Sequence, residues 1–317
     1  MLLLERRNWL KQIATIRGTT LSRVWLRLTA VTVVATVVTF VHTHYESPTG
    51  GLSTIPFSLV AVALGIFLGF RNNTSYDRFW EGRKLWGRLV NTTRSLSRQV
   101  LMMVGPQSEP TSGDAPPEPA TEVHRELVYR IIAYVHALRL HLRDDTRLDD
   151  LDGFITPEER DALPAQLNRP LAIVRVLGDR LRQLWQQGQI HPMHLPVLEG
   201  SLTTLTDIQG ACERIKSTPI PSSYTVLIHR IVAVYTFALP FGIVDTVGAA
   251  TPVVVAIISY AFFGLDAVGE EIEEPFGTDV NDLPLSTLSR MIEINLRQTL
   301  GETETPEVLR PIDGVLQ

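Results

Sequence analysis

The feature that most restricts how this chain can fold is the gathering of its apolar residues into two regions, about 24–70 and 226–268, with charged residues filling the space between. An apolar content of 44% is ordinary for a globular chain, so composition alone would not point to a bilayer. The clustering does. Val24 to Val41 is rich in Val, Thr and Ala, and its one charge, Arg27, lies near enough to the start to reach an interface. Ile55 to Phe70 carries no charge but is only about 16 residues long, slightly short for a span. Thr225 to Val244 contains His229 and Arg230 in its first turns, and Pro240, which should kink the helix by removing a backbone donor. Pro252 to Val268 opens on a proline suited to a first helical turn and is otherwise almost all apolar or small. Four spans are expected.

Basic residues orient them. Arg6, Arg7, Lys11, Arg17 and Arg23 precede the first span; Arg71, Arg78, Arg83, Lys84 and Arg88 follow the second; Arg214 and Lys216 precede the third. The opposite loops, 42–54 and 245–251, have no Lys or Arg. Short loops rich in Lys and Arg stay cytoplasmic, so both termini and the middle segment are expected on that side. The start of the chain lacks a signal peptide's order of charge, apolar core and small-residue site, and is expected to stay attached. The expected organisation is a cytoplasmic segment 1–23, spans one and two in 24–70, a cytoplasmic helical domain 71–224, spans three and four in 225–268, and a cytoplasmic segment 269–317. Within the middle domain, Ser75 to Val104 should continue the second span as one long helix. The five prolines of 105–120 mark a flexible loop. Glu122–Arg143, Pro170–Gln187 and Pro196–Lys216 carry further helical periodicity, and no length of chain alternates as a strand does.

Several chemistries find no anchor. A net charge of −5 does not suit a nucleic-acid partner. The single cysteine, Cys212, excludes an intrachain disulfide and a cysteine-based zinc cage, and reads as a buried small apolar side chain. Asp149, Asp150, Asp152 and Gly153 suggest a calcium loop, but its first ligand position would be Leu148, so a solvated acidic turn is the better reading. His42, His44 and Glu46 would face one way if extended and could gather a metal, yet they sit in a short polar loop. No phosphate loop, dinucleotide fingerprint or nucleophile elbow occurs, so no enzyme, metal or cofactor is expected. Glu270, Glu271, Glu273 and Glu274, with Asp279 and Asp282, concentrate negative charge just past the fourth span. In a monomer that is a solvated helix end; in a symmetric ring it is an acidic rim of the kind that gives cation pathways their field.

The blocks Gly65-Ile66-Phe67-Leu68-Gly69-Phe70-Arg71-Asn72, Ser75-Tyr76-Asp77-Arg78-Phe79-Trp80-Glu81-Gly82-Arg83, Leu85-Trp86-Gly87, Asp207-Ile208-Gln209-Gly210, Cys212-Glu213-Arg214-Ile215, Thr218-Pro219-Ile220-Pro221, Glu270-Glu271-Ile272-Glu273-Glu274-Pro275-Phe276-Gly277 and Asn281-Asp282-Leu283-Pro284-Leu285 together resemble the bacterial branch of the bestrophin family. The resemblance implies an all-α membrane protein of a bacterial inner membrane, with four spans and a helical cytoplasmic bundle, forming a homopentamer around a central pore. By position it makes Val62, Ile66 and Phe70 a hydrophobic neck. Residues four apart share a helix face, so the spacing agrees, although by itself it points first to lipid contact or packing. A second constriction at the cytoplasmic mouth would fall on Met193, with Ile190 in reserve, and helix packing stays open for both. Where animal members bind calcium in an acidic run, this chain has Thr278-Asp279-Val280-Asn281-Asp282, which does not suggest calcium gating. The resemblance and the acidic rim lead to a passive channel for monovalent ions, sodium-like cations expected, with self, membrane lipid and the ions as partners. A membrane-anchored scaffold or sensor acting through the cytoplasmic bundle is the rival. A secondary transporter would want broken helices and a polar midplane, where only Pro240 stands.

Overall fold

The computed structural model describes residues 18–45, 53–106, 120–312 and 314–316. The expectations placed on Arg6, Arg7, Lys11, Arg17 and Glu46, and on most of the proline-rich loop, lie outside the described residues. Helices dominate. They are α1 (Leu21–Tyr45), α2 (Thr54–Met103), α3 (Glu122–Leu142), α4 (Pro157–Ala162), α5 (Arg169–Gln186), α6 (Leu195–Ser217), α7 (Ser222–Val247), α8 (Thr251–Glu273) and α9 (Leu285–Thr299). Among the described residues the only extended pairings are isolated bridges, such as Val104 with Ile190.

Three stretches are long and apolar enough to cross a membrane: α1, α2 and Ser222–Glu273. The third divides at Gly248, which ends α7 with a φ of 58°, a left-handed conformation that disfavours a side chain. The threonines of α1 fit an apolar helix because the hydroxyls of Thr29, Thr32, Thr36, Thr39 and Thr43 each donate to the carbonyl four residues earlier at 2.8 Å. Pro240 sits within α7, which runs through it.

Two hydrophobic cores result. One joins α1, α2, α7 and α8 through Val24, Val31, Leu64, Leu68, Val232, Leu239, Val255 and Phe263. The other joins α2, α3, α5, α6 and α9 around Trp86, Leu96, Leu127, Ile131, Leu177, Leu205 and Leu296. The helix expected to continue the second span is observed as α2, 50 residues and about 75 Å long at 1.5 Å per residue, and it belongs to both cores. Its buried face steps by three or four through Leu64, Leu68, Arg71 and Ser75, passes the half-buried Arg78 and Phe79, and resumes through Gly82, Trp86, Leu89, Thr93, Leu96 and Val100. Gly82 is where the loop after α8 closes onto α2, since a Cβ there would lie 3.0 Å from the Phe276 ring and 3.3 Å from Leu283.

Candidate functional site

Opposite that buried face, α2 presents a stripe of large apolar side chains. Val62, Ile66 and Phe70 are 64%, 53% and 63% exposed, while Leu64 and Leu68 between them are buried. At about 100° per residue the same face continues through Asp77, Lys84, Arg88 and Asn91, all exposed, so the stripe turns from apolar to charged within two turns below Phe70. The predicted trio thus lies together on one uncovered surface.

What fixes the lower end of the stripe is a buried ionic cluster. Arg71, the residue after Phe70, has a fully buried side chain whose Nη1 donates to Asp266 Oδ1 of α8, and His229 Nε2 of α7 stands 3.2 Å from Asp266 Oδ2. Asn72 Nδ2 donates to the Leu265 carbonyl at 3.0 Å. Two turns on, Arg78 donates from Nε to the Glu273 carbonyl at 3.0 Å, from Nη1 to Thr218 at 2.5 Å and from Nη2 to Ile215 at 2.6 Å. Those carbonyls belong to the last turn of α8, the last turn of α6 and the Thr218 cap that follows α6, where no donor is left inside the helix and the negative end of the helix dipole lies. One guanidinium therefore ties two helix ends to α2. Reading Arg71 and Arg78 only as orienting charges missed these roles. The signal was available, because both sit on the three-four repeat that buries Leu64 and Leu68.

The aperture candidates separate. Met193, in the turn between α5 and α6, is 74% exposed. Ile190 is 1% exposed, bridged to Val104 beside the Gly105 N–H to Gln189 carbonyl bond of 2.8 Å, which makes it core rather than lining.

The acidic rim is largely used up within the chain. Glu271 pairs with Arg23 at 3.8 Å and accepts from Asn281 Nδ2 at 2.9 Å; Glu273 Oε1 accepts the Ile220 N–H at 3.0 Å; Asp279 pairs with Arg23 at 2.7 Å. Asp282 is buried, accepts the Asp279 N–H at 2.7 Å, and is pushed up to about 6 by desolvation. Glu270, Glu274 and, despite its pair with Arg23, Asp279 remain exposed. Of the six carboxylates expected at the rim, three stay exposed and three are covered in part or in full, with the loop after α8 meeting α1 through Asp279 and Arg23 and α2 through Phe276, Leu283 and Gly82. Elsewhere Asp149 and Asp152 pair with Arg160, and Asp150 with Arg139. His42 faces Asp245 at 3.4 Å, whereas His44 stacks on Phe40, so the two histidines do not converge. Cys212 is buried, its thiol pushed up to about 12 mainly by desolvation.

Residues 1–298 match the family model described as Bacterial/Fungal Bestrophin protein. The chain belongs to the bestrophin family. Relatives include the voltage-dependent anion channel-forming proteins of Ralstonia nicotianae, 40% identical over 295 residues and 93% of either chain, and of Mesorhizobium japonicum, 37% identical over 95% of this chain and 93% of that one. Among solved structures, the bacterial Bestrophin homolog from Klebsiella pneumoniae superimposes with a TM-score of 0.79 at 32% identity, over 89% of this chain and all of that one. The bestrophin resemblance read from residues 65–285 thus holds across the chain, and the all-helical fold with it.

Proposed function

We propose that this bestrophin is a passive channel for monovalent ions, built as a homopentamer with α2 of each subunit facing the common axis. In this reading α1, the first half of α2, α7 and α8 span the membrane, the second core lies in the cytoplasm with both termini, and Val62, Ile66 and Phe70 form the neck. The observation that carries it is the uncovered stripe on α2. Three large apolar side chains stand more than half exposed on the face away from the bundle, backed by a rigid core and continued by charged residues. A ring of such stripes encloses a narrow apolar constriction, which passes ions only when wetted. Met193 is the candidate for the cytoplasmic mouth. No step of permeation needs a catalytic residue.

The sign of the ion is left to measurement. The preference for cations came from the family resemblance together with the acidic rim, and four of the rim's six carboxylates are bonded within the subunit. The relatives are named for anions.

Purified protein in liposomes with sodium or chloride gradients tests the proposal. Flux is expected, and Ile66→Ala is expected to raise it by widening the neck. Flux unchanged by Ile66→Ala in rate and selectivity would remove the neck; absence of flux would favour the scaffold. Native mass spectrometry checks the pentamer separately.

A further inference from the structure

Between α2 and α7, on the side of α2 away from the Val62–Ile66–Phe70 stripe, lies a groove of about 450 Å³. Its wall is apolar, formed by Phe57 and Val60 of α2 and by Ile231, Val234 and Tyr235 of α7, and Arg230 stands at its edge. Arg230 is exposed and, among the described residues, makes no ion pair or hydrogen bond, in contrast to Arg71 and Arg78. The helices run antiparallel here, with Tyr224 Oη donating to the Phe67 carbonyl at one end and Gly242 against the Phe57 ring at the other. The groove therefore has a charged end near the start of α7 and an uncharged end toward Phe57.

The position of Arg230 explains how a lone cation is tolerated there. It lies eight residues into α7, about 12 Å along the axis, and helical side chains lean back toward the N-terminus. A long arginine stem so directed brings the guanidinium to the headgroup level of the cytoplasmic leaflet while its methylenes stay in the apolar layer. An anionic head and a long apolar tail are what this combination fits, because basic residues between membrane helices on the cytoplasmic side hold lipid phosphates.

We propose that the groove binds one anionic phospholipid of the cytoplasmic leaflet, its phosphate on Arg230 and one acyl chain lying along Val60, Ile231 and Val234 toward Phe57. The proposal rests on the membrane arrangement given above, but not on conduction. Full-length protein, purified in detergent and equilibrated with vesicles of phosphatidylglycerol or of phosphatidylcholine, is washed, extracted and its lipid counted per subunit. Phosphatidylglycerol should be retained over phosphatidylcholine, falling roughly fivefold in Arg230→Gln, as loss of one basic contact predicts. Arg230→Lys should keep it. Val234→Trp, which fills the groove, should lose it with the charge intact. Arg27→Gln, removing another exposed arginine near the start of a span, should leave it unchanged. Equal retention by wild type, Arg230→Gln and Val234→Trp overturns the site. A photoreactive label on Val234→Cys, with Cys212 replaced by Ala, should add the mass of phosphatidylglycerol; an adduct between subunits instead shows that a second copy fills the groove, and also overturns it. Lipid retained without ion flux would sink the channel and leave the lipid site standing.

Discussion

Arg71 and Asp266 form a pair in which each side chain is almost wholly hidden, with His229 as the third member. Removing one charge leaves the other buried and unmatched, a change that costs about 3–5 kcal/mol, whereas apolar replacement of both is often close to neutral. Arg71→Met should therefore lower the thermal midpoint strongly, and adding Asp266→Leu should recover much of the loss; a double variant as unstable as the sum of the singles would contradict this. Asp282 gives a prediction in pH. Its carboxyl is raised by burial to about 6 in the folded chain from the ordinary aspartate value of about 3.9, so the native state holds a proton that the unfolded state releases. With more protons bound when folded, stability falls as pH rises from about 4 to about 6. Asp282→Asn should flatten that slope, as thermal midpoints of the two proteins between pH 4 and 7 would show; parallel curves would reject the assignment. Neither feature was legible as such. A sequence gives Arg71 and Asp282 as charges near a membrane edge, and only the packing of α8 on α2 makes one a buried pair, while the return of the loop after α8 makes the other a buried acid.

Among the elements, α2 was the most legible and the loop after α8 the least. Apolar run, basic flank and three-four periodicity all pointed to one helix from the membrane outward, and the helix Thr54–Met103 follows them. The acids after α8 were visible as a cluster, but their partners Arg23, Asn281 and the Ile220 N–H come from remote positions that no local pattern announces. Of the two readings left open for Ile190, packing is the one observed, and no local pattern announces it because its partner is Val104 at the far end of α2. The seating of that loop depends on Gly82, where Phe276 and Leu283 occupy the space of a side chain. Gly82→Val should force both outward and cost about 1–3 kcal/mol, read as a lower midpoint in denaturation with little change in helix content. An unaltered midpoint would mean that the loop finds another seat.

Taken whole, the molecule has two separately packed layers joined chiefly by one helix. Beyond Pro56, α2 contains no proline, and its inward face runs from Leu64 in one layer to Val100 in the other, only half-buried where it passes Arg78 and Phe79. From Ile66 to Leu96 is about 45 Å of continuous helix. Such an element acts as a torsion rod: a turn imposed on its far end by repacking around Trp86 or Leu96 arrives at Val62, Ile66 and Phe70 as the same turn. Anything that grips the distal half of α2, whether another protein, a small molecule or a change in the fit of α3 and α6, thus has a mechanical handle on the proposed constriction from more than about 40 Å away.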